Sequence, residues 1–294
     1  MSERPRRRIV ALVLTHNAPL SLARCLAAID TQTLAPDAIH VVDNASLPAA
    51  TPSPLPKSGR SPQVIRSEVN GGPAGGWNIA LRDFLASDFT HAWVMDDDIL
   101  PEPECLATLC EAASEAPESS FVFPIAIQPD GSVGRWGAWC GFLVSREIVE
   151  TVGLPMEELF WWAEDTEYCE WRIPEAGFPR RVIDGAVVHH DAIRQGGDIP
   201  TWKYYYEARN TVYYHLHIKH RVGRFPKKIT SQVLRALLRQ RNDRLGCISA
   251  ILRGLYDGAF GLLGIRYQVH PLRERDLSVT TVSREVPERV EKTS

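Results

Sequence analysis

The stretch Trp93-Val-Met-Asp-Asp-Asp-Ile-Leu100 ends an apolar run in three consecutive aspartates, and Pro101 and Pro103 then force a turn before the next helical pattern. Working outward, apolar runs at residues 9–15, 39–43, 64–65 and 92–95 alternate with helical patterns at 19–31 and about 75–87. The alternation predicts a doubly wound, mostly parallel sheet with helices on both faces, whose ligand crevice lies beyond the carboxyl ends of the strands. Polar residues gather there. Thr15, His16 and Asn17 follow the first strand, Asp43 and Asn44 end the second, and Asp96, Asp97 and Asp98 end the fourth.

The chain has 294 residues with 44% apolar, 23% charged and 9% aromatic side chains, which excludes wholesale disorder, a collagen-like repeat and a disulfide-dense miniature. Its formal net charge of −3 hides a division. Residues 203–253 hold 12 Lys/Arg against 2 Asp/Glu, a balance of +10, leaving 21 against 34, or −13, elsewhere. Six scattered cysteines (Cys25, Cys105, Cys110, Cys140, Cys169, Cys247) form no CxxC pair, so neither a zinc site nor a disulfide framework is legible and a reducing, cytoplasmic setting fits. The N-terminal MSERPRRR leads straight into IVALVLT, too short for a signal-peptide core, and the most apolar later run is broken by Arg253 and Asp257, so no membrane span is expected.

The Pro/Ser-rich stretch 47–62 reads as a surface excursion without a core or function of its own. After residue 120 the pattern becomes strand, hairpin (Pro129, Asp130, Gly131) and strand, then helices and two short strands near 181–184 and 187–189. These additions predict an antiparallel edge on the sheet. The expected organisation is a nucleotide-binding and catalytic domain at 1–198, a basic helical region at 199–276 and a polar tail at 277–294.

Four constellations carry chemistry. Like charges at 96–98 are costly to crowd unless a hard divalent cation offsets them, which points to Mg²⁺ or Mn²⁺; a solvated acidic turn is the plainer alternative. The glycine-rich Asn70–Asn78 stretch (NGGPAGGWN) precedes a helix expected to begin near Gly75, where backbone amides can face a diphosphate. It matches neither GxxxxGK[ST] nor GxGxxG. In FWWAEDTEYCEWR, Glu164 and Asp165 open a helix after an aromatic run, which suits the macrodipole and equally a general base for an acceptor hydroxyl. Trp161 and Trp162 beside them read as core packing, or as a shield over that base. His189 and His190 follow an apolar strand, and one imidazole could join Asp98 on a metal.

In this order, LTHN (14–17), VVDNAS (41–46), NGGPAGGWN, MDDD (95–98), the WWAEDTEYCEWR helix, the His pair and YYYEARNTVYYH (204–215) resemble the inverting family 2 glycosyltransferases of GT-A (Rossmann-like) fold. Within them the resemblance is closer to the galactofuranosyltransferase and rhamnosyltransferase branch, and it spans roughly residues 8–265. It implies a base contact for Asp43, a nucleotide pocket lined by Thr15 and Asn17, and a donor-bordering loop including Gly71, Gly72, Gly75, Gly76 and Asn78. It further implies donor contacts near Asp96, Asp97, Trp136 and Trp139, a metal on Asp98 and His190, and a catalytic base at Asp165. Glu164 stands where such enzymes often carry a second Asp, which leaves the choice of base between the two open. The activity implied is a single displacement in which a hydroxyl of a glycan or polyprenyl-diphosphate-linked acceptor attacks a UDP- or dTDP-linked sugar.

The basic second half bears apolar residues at helical spacing (Ile229, Val233, Leu237, Leu238) among Arg235, Arg239, Arg241 and Arg244. That pattern suits a docked surface helix or peripheral contact with the anionic cytoplasmic face of a cell membrane. Interleaved tyrosines and cations also fit a nucleic-acid groove, but the acidic half argues against nucleic acid as the main partner. A nucleotidyltransferase would use the same metal and diphosphate chemistry, yet the glycine loop holds no Lys or Arg.

Overall fold

The computed structural model describes residues 7–115, 121–135, 138–191, 198–221 and 225–267. The first 100 residues follow the predicted alternation: β1 (Ile9–Thr15), α1 (Pro19–Asp30), β2 (Ala38–Asn44), β3 (Gln63–Ser67), α2 (Gly72–Ala86) and β4 (His91–Asp96). Strands β3, β2, β1 and β4 lie side by side and parallel. Every residue of β1 is buried, as expected for a strand covered on both faces. Its side chains alternate between two cores. Ile9, Ala11 and Val13 pack with Leu22, Leu26 and Ile29 of α1; Val10, Leu12 and Leu14 pack with Trp77, Leu81 and Phe84 of α2.

Beyond β4 come β5 (Ile99–Pro101), α3 (Cys105–Glu115), β6 (Phe121–Ile127), β7 (Val133–Gly134), β8 (Cys140–Ser145) and α4 (Arg146–Val152). The chain then reaches α5 (Glu164–Glu167), a π turn over Tyr168–Arg172, α6 (Ile173–Glu175) and β9 (Arg181–His190). The sheet order is β3-β2-β1-β4-β8-β6-β9-β5, with β7 on β6. The expected antiparallel edge is met in part: the edge strand β5 pairs antiparallel with β9, but it precedes residue 120. β8 runs antiparallel but sits inside the sheet, between β4 and β6, and β9 pairs parallel to β6. The two short strands expected at 181–189 are one strand, interrupted by a register shift opposite Pro124 and Ile125. Asp184 and Gly185 at that irregularity mimic a turn in the sequence.

The C-terminal helices α7 (Thr201–Tyr213, continued as a π turn to Ile218), α8 (Phe225–Leu238) and α9 (Arg244–Ala259) form a third core with Phe160. Gly254 and Gly258 of α9 lie against α7 so closely that a Cβ would fall 2.4 Å from Tyr205 O and 2.3 Å from Arg209 O. On α8, Ile229 and Val233 face this core as their spacing predicts, but Leu237 and Leu238 are exposed. Tyr204, Tyr205 and Tyr206 are buried, so these rings cannot serve as a stacking platform for bases.

Helix α2 begins at Gly72, three residues before the expected start at Gly75. Gly72 takes φ +66°, and a Cβ there would lie 2.0 Å from the Phe160 carbonyl oxygen, whereas Gly75 has open space around it. Gly72→Ala should therefore destabilise the protein by roughly 2–4 kcal/mol. Gly75→Ala, in mid-helix, should be neutral or stabilise it by about 0.5–1 kcal/mol. Thermal unfolding of the two variants checks the contrast.

Candidate active site

The carboxyl ends of β1, β2 and β4 open on one side of the sheet, and the polar residues that follow them interlock. Thr15 Oγ1 donates to Asp97 Oδ2 at 2.5 Å. His16 Nδ1 lies 2.8 Å from the Asn44 carbonyl oxygen, and burial lowers its pKa against the opposing effects of that contact and of Asp43. Asn17, in the left-handed region at φ 53°, donates its backbone N–H to Ser46 Oγ (2.9 Å) and accepts the Leu47 amide at Oδ1 (2.7 Å). Asn44 reaches the glycine stretch: its Nδ2 donates to the Gly72 carbonyl and its Oδ1 accepts from the Gly71 amide, each at 3.0 Å.

Asp43 is fully buried. Its carboxylate accepts the Ser46 and Ala50 amides, both at 2.9 Å, and pairs with the Arg66 guanidinium. Burial alone would raise its pKa, but the Ser46, Ala50 and Arg66 bonds outweigh that and lower it. The loop expected to be a bare excursion has a wall to form. Thr15, Asn17, Ser46, Leu22 and Leu26 of α1 and residues 47–56 enclose a cleft of about 500 Å³. Leu55 from this loop is buried in the core beneath α1.

Of the glycine-stretch residues, only Gly71 and Gly72 stand at the helix start. Gly75 and Gly76 lie inside α2, and Gly76 is needed because a Cβ would sit 2.4 Å from Leu14 Cδ1. Asn78 is tied to the Pro155 carbonyl (2.9 Å) and to Arg82 (2.7 Å). The first of these bonds anchors α2 to the segment at Pro155. Trp139 is buried between Trp77, stacked at 4.8 Å, and Tyr168. Trp136 lies outside the described residues.

The aspartates are brought together with the pair from α5. Burial, then Asp98, Asp97, Glu164 and Asp165, hold the Asp96 pKa well above its ordinary range. Asp97 rises to about 7, chiefly through burial and despite the Thr15 bond. Glu164 is buried, with one oxygen (Oε2) lacking any hydrogen-bond partner; burial and the neighbouring Asp165 push its pKa to about 8, with the Trp139 indole opposing. Asp165 is half-buried; its Oδ1 accepts from the Thr166 amide at 2.6 Å, and burial raises its pKa.

On the other side, β9 places His190 beside Asp98, Nε2 to Oδ2 3.2 Å, and that contact raises the histidine pKa. His190 Nδ1 faces Gln128 Oε1 at 3.1 Å, which fixes the ring. His189 points away to Glu102. The strand alternation that predicts one inward histidine holds. A carboxylate oxygen from the turn just before β5 and an imidazole nitrogen from the adjacent strand β9 make a fitting two-residue donor set for Mn²⁺ or Mg²⁺. Among the described residues no group of three or more His, Cys, Asp and Glu side chains converges on a cation position. Oxygens from a bound ligand would complete the shell.

The segment leading into α5 is strained. Phe160 (φ 62°), Trp162 (φ 77°) and Ala163 (φ 67°) all have left-handed backbones, each costing about 1–2 kcal/mol for a non-glycine residue. Sequence reading marks FWWAED as acidic and aromatic but gives no hint of this geometry. It also overlooks Ser46, Arg66 and Asn70 as partners of the motif residues. For Ser46 the signal is its place three residues after Asp43; Arg66, 23 residues from Asp43, has no local signal.

A doubly wound sheet carries its ligand crevice beyond the carboxyl ends of its strands, which is where these carboxylates gather. The glycosyl transferase family 2 model matches residues 11–168, more than half of the chain, and the protein belongs to that family. Among solved structures, Staphylococcus aureus TarS 1–349 in complex with UDP-GlcNAc superposes with a TM-score of 0.55 at 14% identity, covering 87% of this chain and 83% of that one. GalNAc-T7 with UDP, GalNAc and Mn²⁺ gives 0.51 at 14% identity, covering 74% of this chain and 52% of that one. These likenesses establish a GT-A-like fold. No curated protein matches the sequence.

The raised Glu164 pKa has a measurable consequence. The folded protein holds a proton that the unfolded chain releases near pH 4.5, so this group's contribution to stability is full below that pH and is lost as pH rises to about 8. The thermal midpoint of Glu164→Gln minus that of the wild type should therefore grow between pH 5 and 8 and level off above. A difference independent of pH would contradict the buried, protonated state.

Proposed function

We propose that the protein is an inverting, metal-dependent glycosyltransferase that moves a sugar from a nucleotide-diphosphate donor to a hydroxyl of a glycan or polyprenyl-diphosphate-linked acceptor. The observation that carries this reading is the convergence of the Asp96–Asp98 carboxylates, the Asp98–His190 pair and the Glu164–Asp165 pair at the mouth of a family 2 fold. UDP or a UDP-sugar is bound in the TarS and GalNAc-T7 structures, and the latter contains Mn²⁺. A UDP- or dTDP-linked donor suits this chain, with galactofuranose or rhamnose as the sugar, in line with the sequence resemblance.

Asp98 and His190 would hold the divalent cation, which supplies charge neutralisation for the departing diphosphate. The nucleoside end of the donor would occupy the cleft beside Thr15, Asn17 and Ser46. Asp165, with one oxygen held by Thr166, would take the acceptor proton as the new glycosidic bond forms on the face opposite the leaving diphosphate. Glu164 lies deeper and keeps its proton at neutral pH, which favours Asp165 over Glu164 as the base. A protonated Glu164 beside it also limits the charge gathered at the reacting carbon.

The second half of the reading is peripheral membrane contact in a cytoplasmic setting. No described helix is long and apolar enough to cross a membrane. Leu237, Leu238, Leu245, Leu252, Tyr256 and Phe260 are nevertheless exposed, among the exposed cations Arg239, Arg241, Arg244 and Arg253. Apolar side chains mixed with cations suit an anionic leaflet carrying a lipid-linked acceptor.

Asp165→Asn should lower transfer at least 1,000-fold and leave UDP·Mn²⁺ binding intact, whereas Asp98→Ala should abolish the Mn²⁺ dependence of UDP binding in calorimetry. Full turnover in Asp165→Asn would overturn the assignment. Turnover of UDP-galactofuranose and dTDP-rhamnose, compared side by side with Mn²⁺, identifies the sugar. Co-sedimentation with phosphatidylserine vesicles should be strong at low salt and fall as salt rises; binding indifferent to salt or to anionic lipid would remove the membrane part alone.

A further inference from the structure

The loop that delivers Glu164 and Asp165 is held by a side-chain pair from another part of the chain. Arg209 and Asn210 lie on α7, in the basic C-terminal half, and both are completely buried. Asn210 Nδ2 lies 2.8 Å from each of three carbonyl oxygens, those of Leu159, Trp161 and Trp162. Its Oδ1 accepts from Arg209 Nε at 2.8 Å, which orients the amide so that its N–H groups face the loop. Arg209 Nη2 donates to the carbonyls of Glu158 (3.0 Å) and Leu159 (2.9 Å), and Nη1 to that of Gly264 (2.6 Å). The Gly264 amide in turn donates to Glu158 O at 3.0 Å.

Three features set this pair apart from ordinary packing. The Arg209 cation is buried without an ion pair among the described residues; it is met by carbonyls and by the Tyr206 ring, 4.7 Å from its centroid. Among the described residues, the hydrogen bonds of the two side chains other than those to Gly264, to each other and to Tyr205 end on residues 158–162. That segment contains or adjoins the three left-handed residues Phe160, Trp162 and Ala163. In an extended backbone successive carbonyls alternate sides, and in a helix they are spent on intrahelical bonds; the left-handed path leaves three of them facing one amide. From the other side, the Ala74 amide donates to Phe160 O at 3.2 Å, and Gly72 leaves room for that carbonyl. The loop is thus gripped between the start of α2 and α7.

We propose that Arg209 and Asn210 are positioning residues for the transfer reaction, fixing the strained 158–163 backbone so that the α5 carboxylates meet the crevice. The inference rests on the reading of Asp165 as the base and adds that the C-terminal helices, through these two residues, set the base's geometry. Neither side chain needs to touch donor or acceptor. Gly254 and Gly258 hold α7 against α9, so the pair has a rigid mount.

The test compares Asn210→Ala, Arg209→Lys and Asp165→Asn, each in the full chain, with two readouts: turnover at saturating donor and acceptor, and the stoichiometry and Kd of UDP·Mn²⁺ binding by calorimetry. Asn210→Ala should lose at least 100-fold in turnover per UDP-binding site, with Kd and stoichiometry close to wild type. Arg209→Lys keeps the cation but loses the fork, and should lose about 10-fold with the same binding. If Asn210→Ala does not fold, Arg209→Lys carries both readouts alone. Turnover per binding site within three-fold of wild type in the variants, or turnover and UDP stoichiometry falling in parallel, would mean a role confined to stability and would overturn the proposal. Undiminished turnover in Asp165→Asn would instead bring down the functional reading itself, which separates the two failures.

Discussion

Repulsion among carboxylates is the constraint around which this structure is organised. Asp96, Asp97 and Asp98 come from the end of β4, Glu164 and Asp165 from α5, and Asp96 is influenced by all four of the others. Two unit charges 4 Å apart repel by about 1 kcal/mol in bulk water and about 4 kcal/mol at the effective dielectric near a protein surface. Without a ligand the protein relieves this by keeping protons: Asp97 and Glu164 titrate near 7 and 8. It also engages individual carboxylates, Asp97 with Thr15, Asp98 with His190 and Asp165 with Thr166. Such a site has an unmet demand for positive charge, which the divalent cation proposed for Asp98 and His190 would answer.

Holding the two carboxylate groups together needs two separate frames. The first is the parallel sheet, whose buried strands leave β4 no freedom where its aspartates begin. The second is the helical C-terminal half, which accounts for the irregular path before α5. The helical run from Glu164 to Glu175 does not by itself fix where its first turn, with Glu164 and Asp165, is presented, because it starts directly after the left-handed Ala163. Its preceding loop is shaped instead by long-range bonds from α7 and by the clearance at Gly72. A buried cation in the basic half therefore serves the acidic half without pairing with any of its carboxylates.

The sheet was legible because its signal is local: β1 through β4 are short apolar runs ended by polar residues, and the intervening helices carry a proline at their starts. The site aspartates were legible for the same reason; strand alternation gave one inward histidine of the pair, and the choice of His190 came from the family resemblance. What could not be read is non-local. The placement of β8 inside the sheet depends on which strand it pairs with, and nothing in CGFLVS encodes the partner. Asn78, Gly76 and Trp139 stand in the motif like ligand residues; Pro155, Leu14 and Trp77 also give them packing duties. Asp43 reads as a free carboxylate until Arg66, 23 residues away, closes on it. The left-handed run at 160–163 follows no glycine, so composition offers no warning.

The same non-locality alters the meaning of the basic half. Its +10 balance over residues 203–253 would suggest a strong outward field, but Arg209 is buried in the loop contact and Arg235 is neutralised by Glu207. The exposed cations near in sequence to the exposed Leu237, Leu238, Leu245 and Leu252 are Arg239, Arg241, Arg244 and Arg253; Lys227 and Lys228, also exposed, lie apart from them at the start of α8. At about 1 kcal/mol for each basic residue near an anionic leaflet, four of them contribute on the order of 4 kcal/mol, equivalent to a dissociation constant of about 1 mM. That is enough to bias the protein toward a charged surface and too little to hold it there. Lasting contact would have to come from insertion of the exposed leucines and aromatics, each adding roughly 1.5–3 kcal/mol if fully buried. Electrostatic steering and apolar anchoring are then successive steps, the first sensitive to salt and the second to removal of Leu238, Leu245 or Leu252.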